Sequence, residues 1–293
     1  MNFLKTKKCL IISLLLAVVL VTAGCAGLSE FSKGALSYSH QADELAVHFI
    51  DVGQGDSILV QFPNGCVMLI DAGPDGSGAP VISYLKQQGI KKIDYLVATH
   101  PHADHICGMA AVIEEFDINK VYMPKVTHTS KTFEDMLLSI KSKGLKITPA
   151  RAGLSIFEQD GLQAAFTTPC GSDYESLNNY SAVVKIQYGS TSFLLTGDAE
   201  DLSEKEMLAS DADLQADVLK VGHHGSSSST TPDFLKSVSP EYAVISVGAD
   251  NQYGHPHQET LDMLTDAGVE IYRTDVHGTV IFVSDGKTLT VVH

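Results

Sequence analysis

Between Val97 and Gly108 the chain reads VATHPHADHICG, which places His100, His102, Asp104 and His105 within six positions. Imidazoles packed this closely repel one another when protonated, and all four groups lose hydration when buried. A divalent cation removes both costs, because neutral imidazole and carboxylate are good ligands for zinc and manganese. His100 and His102 stand two apart and share one face of an extended chain, after which Asp104 and His105 turn over the same point. The segment is therefore expected to bind metal where a strand runs into a loop. His128, in KVTHTS, reads as a surface residue. Cys66 reads as a small core residue, whereas Cys107, next to the cluster, leaves a role near the metal open. With Cys170 these cysteines fit no disulfide or zinc-knuckle spacing.

Strands and helices must place that cluster. Short apolar or alternating runs bounded by turn residues recur from Leu45 onward: LAVHFIDV, SILVQF and CVMLIDAG, with Pro63-Asn64-Gly65 as a tight turn between the last two. Helical spacing follows at 79–89, about 107–116 and about 132–143, alternating with the strands IDYLVATH and KVYMP. Strand-like runs at 162–167, 182–188 and 192–196 precede ADVLKVG, a helix from Pro232, EYAVISVG, a helix at about 258–267, and three closing strands. Such interleaving predicts one α/β domain over 45–293, with two sheets and helices outside. The glycines of Asp51–Asp56 (DVGQGD) read as hairpin punctuation or as a brace for a metal loop. No glycine-rich loop opens a helix, so nucleotide-cofactor chemistry has no support.

The chain has 293 residues, is 44% hydrophobic and carries a formal charge of −15. That balance argues against a broad electrostatic footprint for nucleic acid, so a polyanionic substrate would have to be held locally. Lys5, Lys7 and Lys8 precede an apolar run, Leu10 to Val21, that is short for a membrane span of about 20 residues. With the small residues that follow, residues 1–24 read as an export signal, and 25–44 as a polar tether. VTAGC resembles the lipobox of bacterial lipoproteins. The resemblance implies lipidation at Cys25 and anchoring to the extracytoplasmic face of the cell membrane; a plain signal peptide is the other reading.

THPHADH matches the HxHxDH signature of the metallo-β-lactamase superfamily, and the chain resembles that family from about residue 45 to 293. The resemblance implies a four-layer αββα sandwich and two adjacent metals. LIDAG supplies Asp71, which the family places behind the histidines. FLLTGD supplies Asp198, which resembles the carboxylate that bridges the metals, and LKVGHHGS resembles the later histidine motif. More narrowly, FIDVGQGDSILV, THPHADH, LNNYSAVVKI, LLTGDAE, LKVGHHGSS and SVGADNQYGHPH resemble the C-terminal hydrolase domain of the ComEC/Rec2 competence proteins.

On this resemblance His100 and His102 serve one metal, Asp104, His105 and His223 serve the other, and Asp198 bridges. His223 is preferred to His224 because it directly follows the strand and aligns better with relatives that have a single histidine there. Asp71 and Asp56 are expected to brace the ligands from behind. Asp104, His224, His255 and Asn178 are the candidate catalytic residues, with His224 as substrate contact or general acid and His255 as rim residue or proton donor. Asn178 stands where many members have a further histidine, so it is expected to touch metal, water or substrate. The serine run 226–229 reads as a flexible loop that could also bind phosphate oxygens.

The implied cofactor is one or two divalent ions, Zn2+ or Mn2+, with a metal-bound hydroxide as nucleophile. The implied reaction is phosphodiester hydrolysis, with single-stranded DNA the leading substrate and the lipid anchor the contact with the membrane. Two alternatives stay open. One is another ester, such as a cell-wall phosphorylcholine or teichoic-acid phosphodiester, a thioester or a lactam. The other is a metal-binding accessory lipoprotein without turnover.

Overall fold

Strands with apolar residues at successive positions need cover on both faces. In the computed structural model, which describes residues 38–293, a second sheet covers one face and helices cover the other. The expected signal segment 1–24, Cys25 and the tether as far as Ser37 lie outside the described residues. Tyr38, in the remainder of that tether, packs its ring 5.4 Å from His48.

One sheet contains β1 (Leu45–Phe49), β2 (Ile58–Gln61), β3 (Val67–Ile70), β4 (Lys92–Val97), β5 (Asp117–Pro124), β6 (Ile147–Ala150), β14 (Val280–Ser284) and β15 (Leu289–Val292). Its order is β15-β14-β1-β2-β3-β4-β5-β6. The other contains β7 (Ser155–Gln159), β8 (Leu162–Phe166), β9 (Val184–Tyr188), β10 (Thr191–Leu195), β11 (Val218–Lys220), β12 (Tyr242–Ile245) and β13 (Glu270–Arg273), in the order β13-β12-β11-β10-β9-β8-β7. Pairing is antiparallel from β1 through β3 and parallel from β3 to β6. In the second sheet it is antiparallel from β7 to β10 and parallel from β10 to β13.

The two-residue period of a strand sorts the core into layers. Val60, Met68, Ile70 and Val97 meet Phe193, Leu195, Val218 and Val244 between the sheets. Their neighbours Leu59, Leu69 and Leu96 turn outward to α1 (Gly78–Gln87), α3 (Met109–Glu115) and α4 (Lys131–Ser142), through Val81, Leu85, Met109, Phe133 and Met136. Leu194, Leu219 and Ala243 turn to α5 (Asp201–Ala209), α6 (Pro232–Val238) and α7 (Gln258–Asp266). The layers are helix, sheet, sheet, helix, as the resemblance implied.

Two differences from the sequence expectations have plain causes. β6 and β7 carry no strong apolar period, because each is the edge strand of its sheet and is largely exposed. The helix expected near 107–116 begins at Met109, and a separate four-residue helix, α2 (Ala103–Ile106), carries Asp104 and His105.

The carboxyl ends of parallel strands form the place where loops of α/β proteins assemble sites. Asp71 follows β3, His100 follows β4, Asp198 follows β10, and His223 and His224 follow β11. Both sheets thus deliver side chains to one cluster.

Away from that cluster, His48 is fully buried in β1, with Nδ1 2.8 Å from the Tyr84 hydroxyl. Burial holds its imidazole down to about 3 against an ordinary 6.5. The unfolded chain takes up a proton below about pH 6.5 that the folded chain refuses until about pH 3. Stability from this group is therefore full above pH 6.5 and falls as the pH drops through that window, by an amount on the order of a few kcal/mol. His48→Gln should show a shallower loss of Tm between pH 7 and 4 than the wild type; parallel Tm profiles would refute the assignment.

Candidate metal centre

His100 Nε2 lies 2.9 Å from His102 Nδ1, and it lies 3.7 Å from Asp198 Oδ2. His100, His102 and Asp198 form one group whose ligand atoms all lie within 4.8 Å of one another. Asp104, His105, Asp198 and His224 form a second group by the same measure. In it His105 Nε2 is 3.2 Å from Asp198 Oδ2, while His224 Nε2 is 3.4 Å from Asp104 Oδ2 and 3.5 Å from Asp198 Oδ1. Asp198 belongs to both groups; it is the residue for which the resemblance implied a bridging carboxylate.

The imidazoles are aimed by hydrogen bonds on their far sides. Asp71 Oδ2 accepts from His105 Nδ1 at 2.7 Å and from the Thr99 hydroxyl at 2.6 Å, and its Oδ1 accepts from Thr99 N. His224 Nδ1 donates to the Ser246 carbonyl at 2.8 Å. Both rings are thereby fixed with Nε2 free toward the carboxylates, as metal-binding histidines require. Asp71 sits behind His105, where the resemblance put it.

The structure departs from the sequence expectation at His223 and His224. It is His224 that is buried among Asp104, His105 and Asp198; His223 lies on the rim, with Nε2 3.9 Å from Asp198 Oδ2 and Nδ1 3.0 Å from the Ser228 hydroxyl. The cause is backbone geometry. Both residues are left-handed, at φ 47 and 54, so the turn sends the first ring outward and the second inward. Such residues cost about 1–3 kcal/mol each and persist where their surroundings impose them. His224 Nε2 lies inside the second group, and the residue also lines the pocket above it.

Asp56 is buried with Oδ2 2.7 Å from Lys220 Nζ and Oδ1 3.6 Å from His224 Nδ1, which sets it behind the ligands as expected. Gly55 makes this possible, because a Cβ there would lie 2.1 Å from the Asp104 carbonyl oxygen. Asn178 is buried in the 3-10 turn Leu177–Tyr180 and lies against His102. His255 stands at the rim, 5.5 Å ring to ring from His223. Cys107 points instead to the Thr132 hydroxyl, and His128 bonds Ser130; neither joins a ligand group among the described residues.

Within LKVGHHGS only the histidines read as functional, yet Lys220 is fully buried and holds Asp56, the Gly197 carbonyl at 2.9 Å and, at 3.9 Å, Asp198 Oδ1. Its signal is positional. Val218, two residues earlier in β11, faces the core between the sheets, so Lys220 is a cation on an inward position.

Charge accounts for the rest. Burial opposes charge on His105, but Asp198 and Asp71 outweigh it and hold this imidazole well above its ordinary value. Burial likewise opposes charge on His224, and Asp198 and Asp104 raise it to about 9. His100, buried and beside His105, is pushed well down, and burial with neighbouring imidazoles brings His255 to about 4. His105 Nε2, His224 Nε2, Asp198 Oδ1 and Asn178 Oδ1 are buried without hydrogen-bond partners. Orphaned lone pairs of this kind, converging from imidazole, carboxylate and amide, fit divalent metal.

Above the cluster opens a pocket of about 260 Å³ lined by Gln54, His102, Asp104, Asp198, His223, His224, Tyr253 and His255. A larger groove, about 960 Å³, lies over β8–β10 and contains no histidine, so size does not mark the site.

Comparison with known proteins agrees with this geometry. Residues 50–249 match the family model described as the metallo-beta-lactamase superfamily. The chain is 34% identical over 261 residues to ComE operon protein 3 of Bacillus subtilis (strain 168), covering 83% of this chain and 33% of that protein. It is 28% identical over 253 residues to competence protein ComA of Neisseria gonorrhoeae, covering 85% of this chain and 34% of that one. It therefore spans about a third of the length of these relatives. In fold it is similar to CmlA, a diiron beta-hydroxylase from Streptomyces venezuelae, at TM-score 0.52 and 13% identity over 80% of this chain and 53% of that one. It is also similar to Tm1679, a metal-dependent hydrolase of the beta-lactamase superfamily, at TM-score 0.51 and 13% identity over 78% and 95%.

Removing Lys220 would leave Asp56 buried without its cation. Lys220→Met is expected to lower the unfolding free energy by about 3–5 kcal/mol in urea titrations. Adding Asp56→Asn should recover part of that loss; strictly additive losses would show that the pair is not coupled.

Proposed function

Because the chain belongs to the metallo-β-lactamase superfamily and is related to competence proteins, we propose that it is a phosphodiesterase with nucleic acid as its substrate class. At the level of the family it is a metal-dependent hydrolase; the identity of the ester is the proposal. One observation carries it: two ligand groups share Asp198 at the floor of an open pocket.

His100, His102 and Asp198 would hold one ion, and Asp104, His105, His224 and Asp198 a second. Bound Zn2+ or Mn2+ supplies Lewis acidity at a phosphoryl oxygen and offsets the charge that builds up as the ester is cleaved. The protein's part is orientation: Asp71 and the Ser246 carbonyl fix two imidazoles. His223 and His255 line the pocket, where they can bond the phosphate oxygens. Among the described residues no lysine or arginine lines this pocket, and Lys220 is occupied by Asp56. A phosphodiester would thus be held by ions and neutral donors, in keeping with the charge of −15. The resemblance to competence proteins is what favours nucleic acid over the cell-wall phosphodiesters, thioesters and lactams that share the chemistry. We further propose that the domain is exported and tethered to the membrane through lipid on Cys25.

Hydrolysis of bis-p-nitrophenyl phosphate and nicking of single-stranded DNA, measured side by side, test the reading. Chelation should abolish both, and added Mn2+ or Zn2+ should restore them. Asp198→Ala and His102→Ala should each lower turnover by at least about 100-fold with circular dichroism unchanged. His224→Ala should cost more than His223→Ala. Turnover of the small diester without nicking would remove nucleic acid, and wild-type turnover in Asp198→Ala would remove the metal mechanism. For the anchor, Cys25→Ser should move the protein from the membrane fraction to the soluble one; unchanged attachment would reject lipidation there.

A further inference from the structure

We infer that Glu200 is a positioning residue that fixes the orientation of the Asn178 amide and so presents the Asn178 carbonyl oxygen to the His100, His102 and Asp198 group. The inference rests on the metal-centre reading above and adds an oxygen donor, with its clamp, to the group that has three ligand residues where the other has four.

The argument begins with donors and acceptors. Asn178 Nδ2 lies 3.0 Å from Glu200 Oε1. An ionised carboxylate can only accept, so the nitrogen end of the amide must face it. Turning the amide over would set a carbonyl oxygen against a carboxylate and would aim an NH2 group, which has no lone pair to give, at a cation. With the nitrogen committed to Glu200, Oδ1 takes the other side. It is buried there without a well-formed hydrogen bond, beside His102, whose imidazole is within its reach. A buried carbonyl oxygen left empty in a well-bonded neighbourhood points to a ligand.

Glu200 is itself held. Asn179 Nδ2 donates to its Oε2 at 3.4 Å, and the Ser228 hydroxyl donates to Oε1 at 3.4 Å. The 3-10 turn is also bolted to α5, since Ser203 N and its hydroxyl donate to Asn179 Oδ1 at 3.2 and 2.9 Å. Asp198 and Glu200 lie two apart in LLTGDAE, so one short segment carries both the shared carboxylate and the clamp on its neighbour. Partners of this kind behind a ligand typically change metal affinity by about 10–100-fold when removed.

The experiment uses the full chain, stripped with chelator and dialysed against Mn2+ at graded concentrations, with bound metal read by elemental analysis. Wild type should take up two ions. Glu200→Ala should weaken one of them by about 10-fold or more while the Tm of the metal-free protein stays near wild type. Glu200→Gln, which can still accept from Nδ2, should lose less than Glu200→Ala. Asn178→Asp, which offers oxygen at either end, should restore the second ion in the Glu200→Ala background. Equal losses in the Gln and Ala variants would mean that charge matters and orientation does not, and would overturn the inference. Wild-type uptake in Glu200→Ala would overturn it too. A wild-type chain that retains no Mn2+ would overturn the metal-centre reading and this inference with it.

Discussion

The constraint on which this structure depends is the crowding of carboxylates against imidazoles in one dry place. Asp56, Asp71 and Asp198 are buried, and Asp104 stands beside them. Within reach are three buried imidazoles and one ammonium. Negative charge held this closely away from water is tolerable only if cations or protons match it. Lys220 lies against Asp56, and the carboxylates of Asp71, Asp104 and Asp198 favour protons on His105 and His224. Divalent ions would substitute for those protons, which is why metal binding and the folding of such a centre are coupled.

Supporting the cluster is a matter of chain direction. Parallel segments in both sheets end at the same edge, so the segment after β4 contributes four groups and those after β3, β10 and β11 one or two each. The loops are tied to one another as well as to their strands: Ala72 N bonds the His105 carbonyl at 2.8 Å, and Gly73 N bonds the Asp56 carbonyl at 2.9 Å. Backbone held from both ends can keep the left-handed pair His223 and His224, and the left-handed Asp71, against their local preference. The strain marks where geometry serves the site rather than the fold.

The division of labour between the two adjacent histidines has a chemical consequence. The buried ring has one nitrogen committed to a carbonyl and one aimed at carboxylates, so it is preorganised as a ligand. The outer ring has Ser228, Asn178 and Glu200 around it and opens to the pocket, so it can answer a substrate without disturbing the centre.

Much of this was legible in the residues. The two-residue spacing of His100 and His102, the turn carrying Asp104 and His105, and the apolar runs ending at Asp71 and Asp198 mark the strand ends and the metal chemistry, because ligand types and strand period are local properties. The short edge strands β6 and β7 were not legible, since an exposed edge imposes no apolar period. Nor were the partners of Lys220, the clamp of Glu200 on Asn178, or the choice of His224 over His223. Those depend on which side chains meet across two sheets and on a left-handed turn held by distant neighbours. The sequence by itself determined which groups could bind metal and where strands would end. Only the packing of the two sheets decided which nitrogen faces which carboxylate, because that follows from distances between segments far apart in the chain.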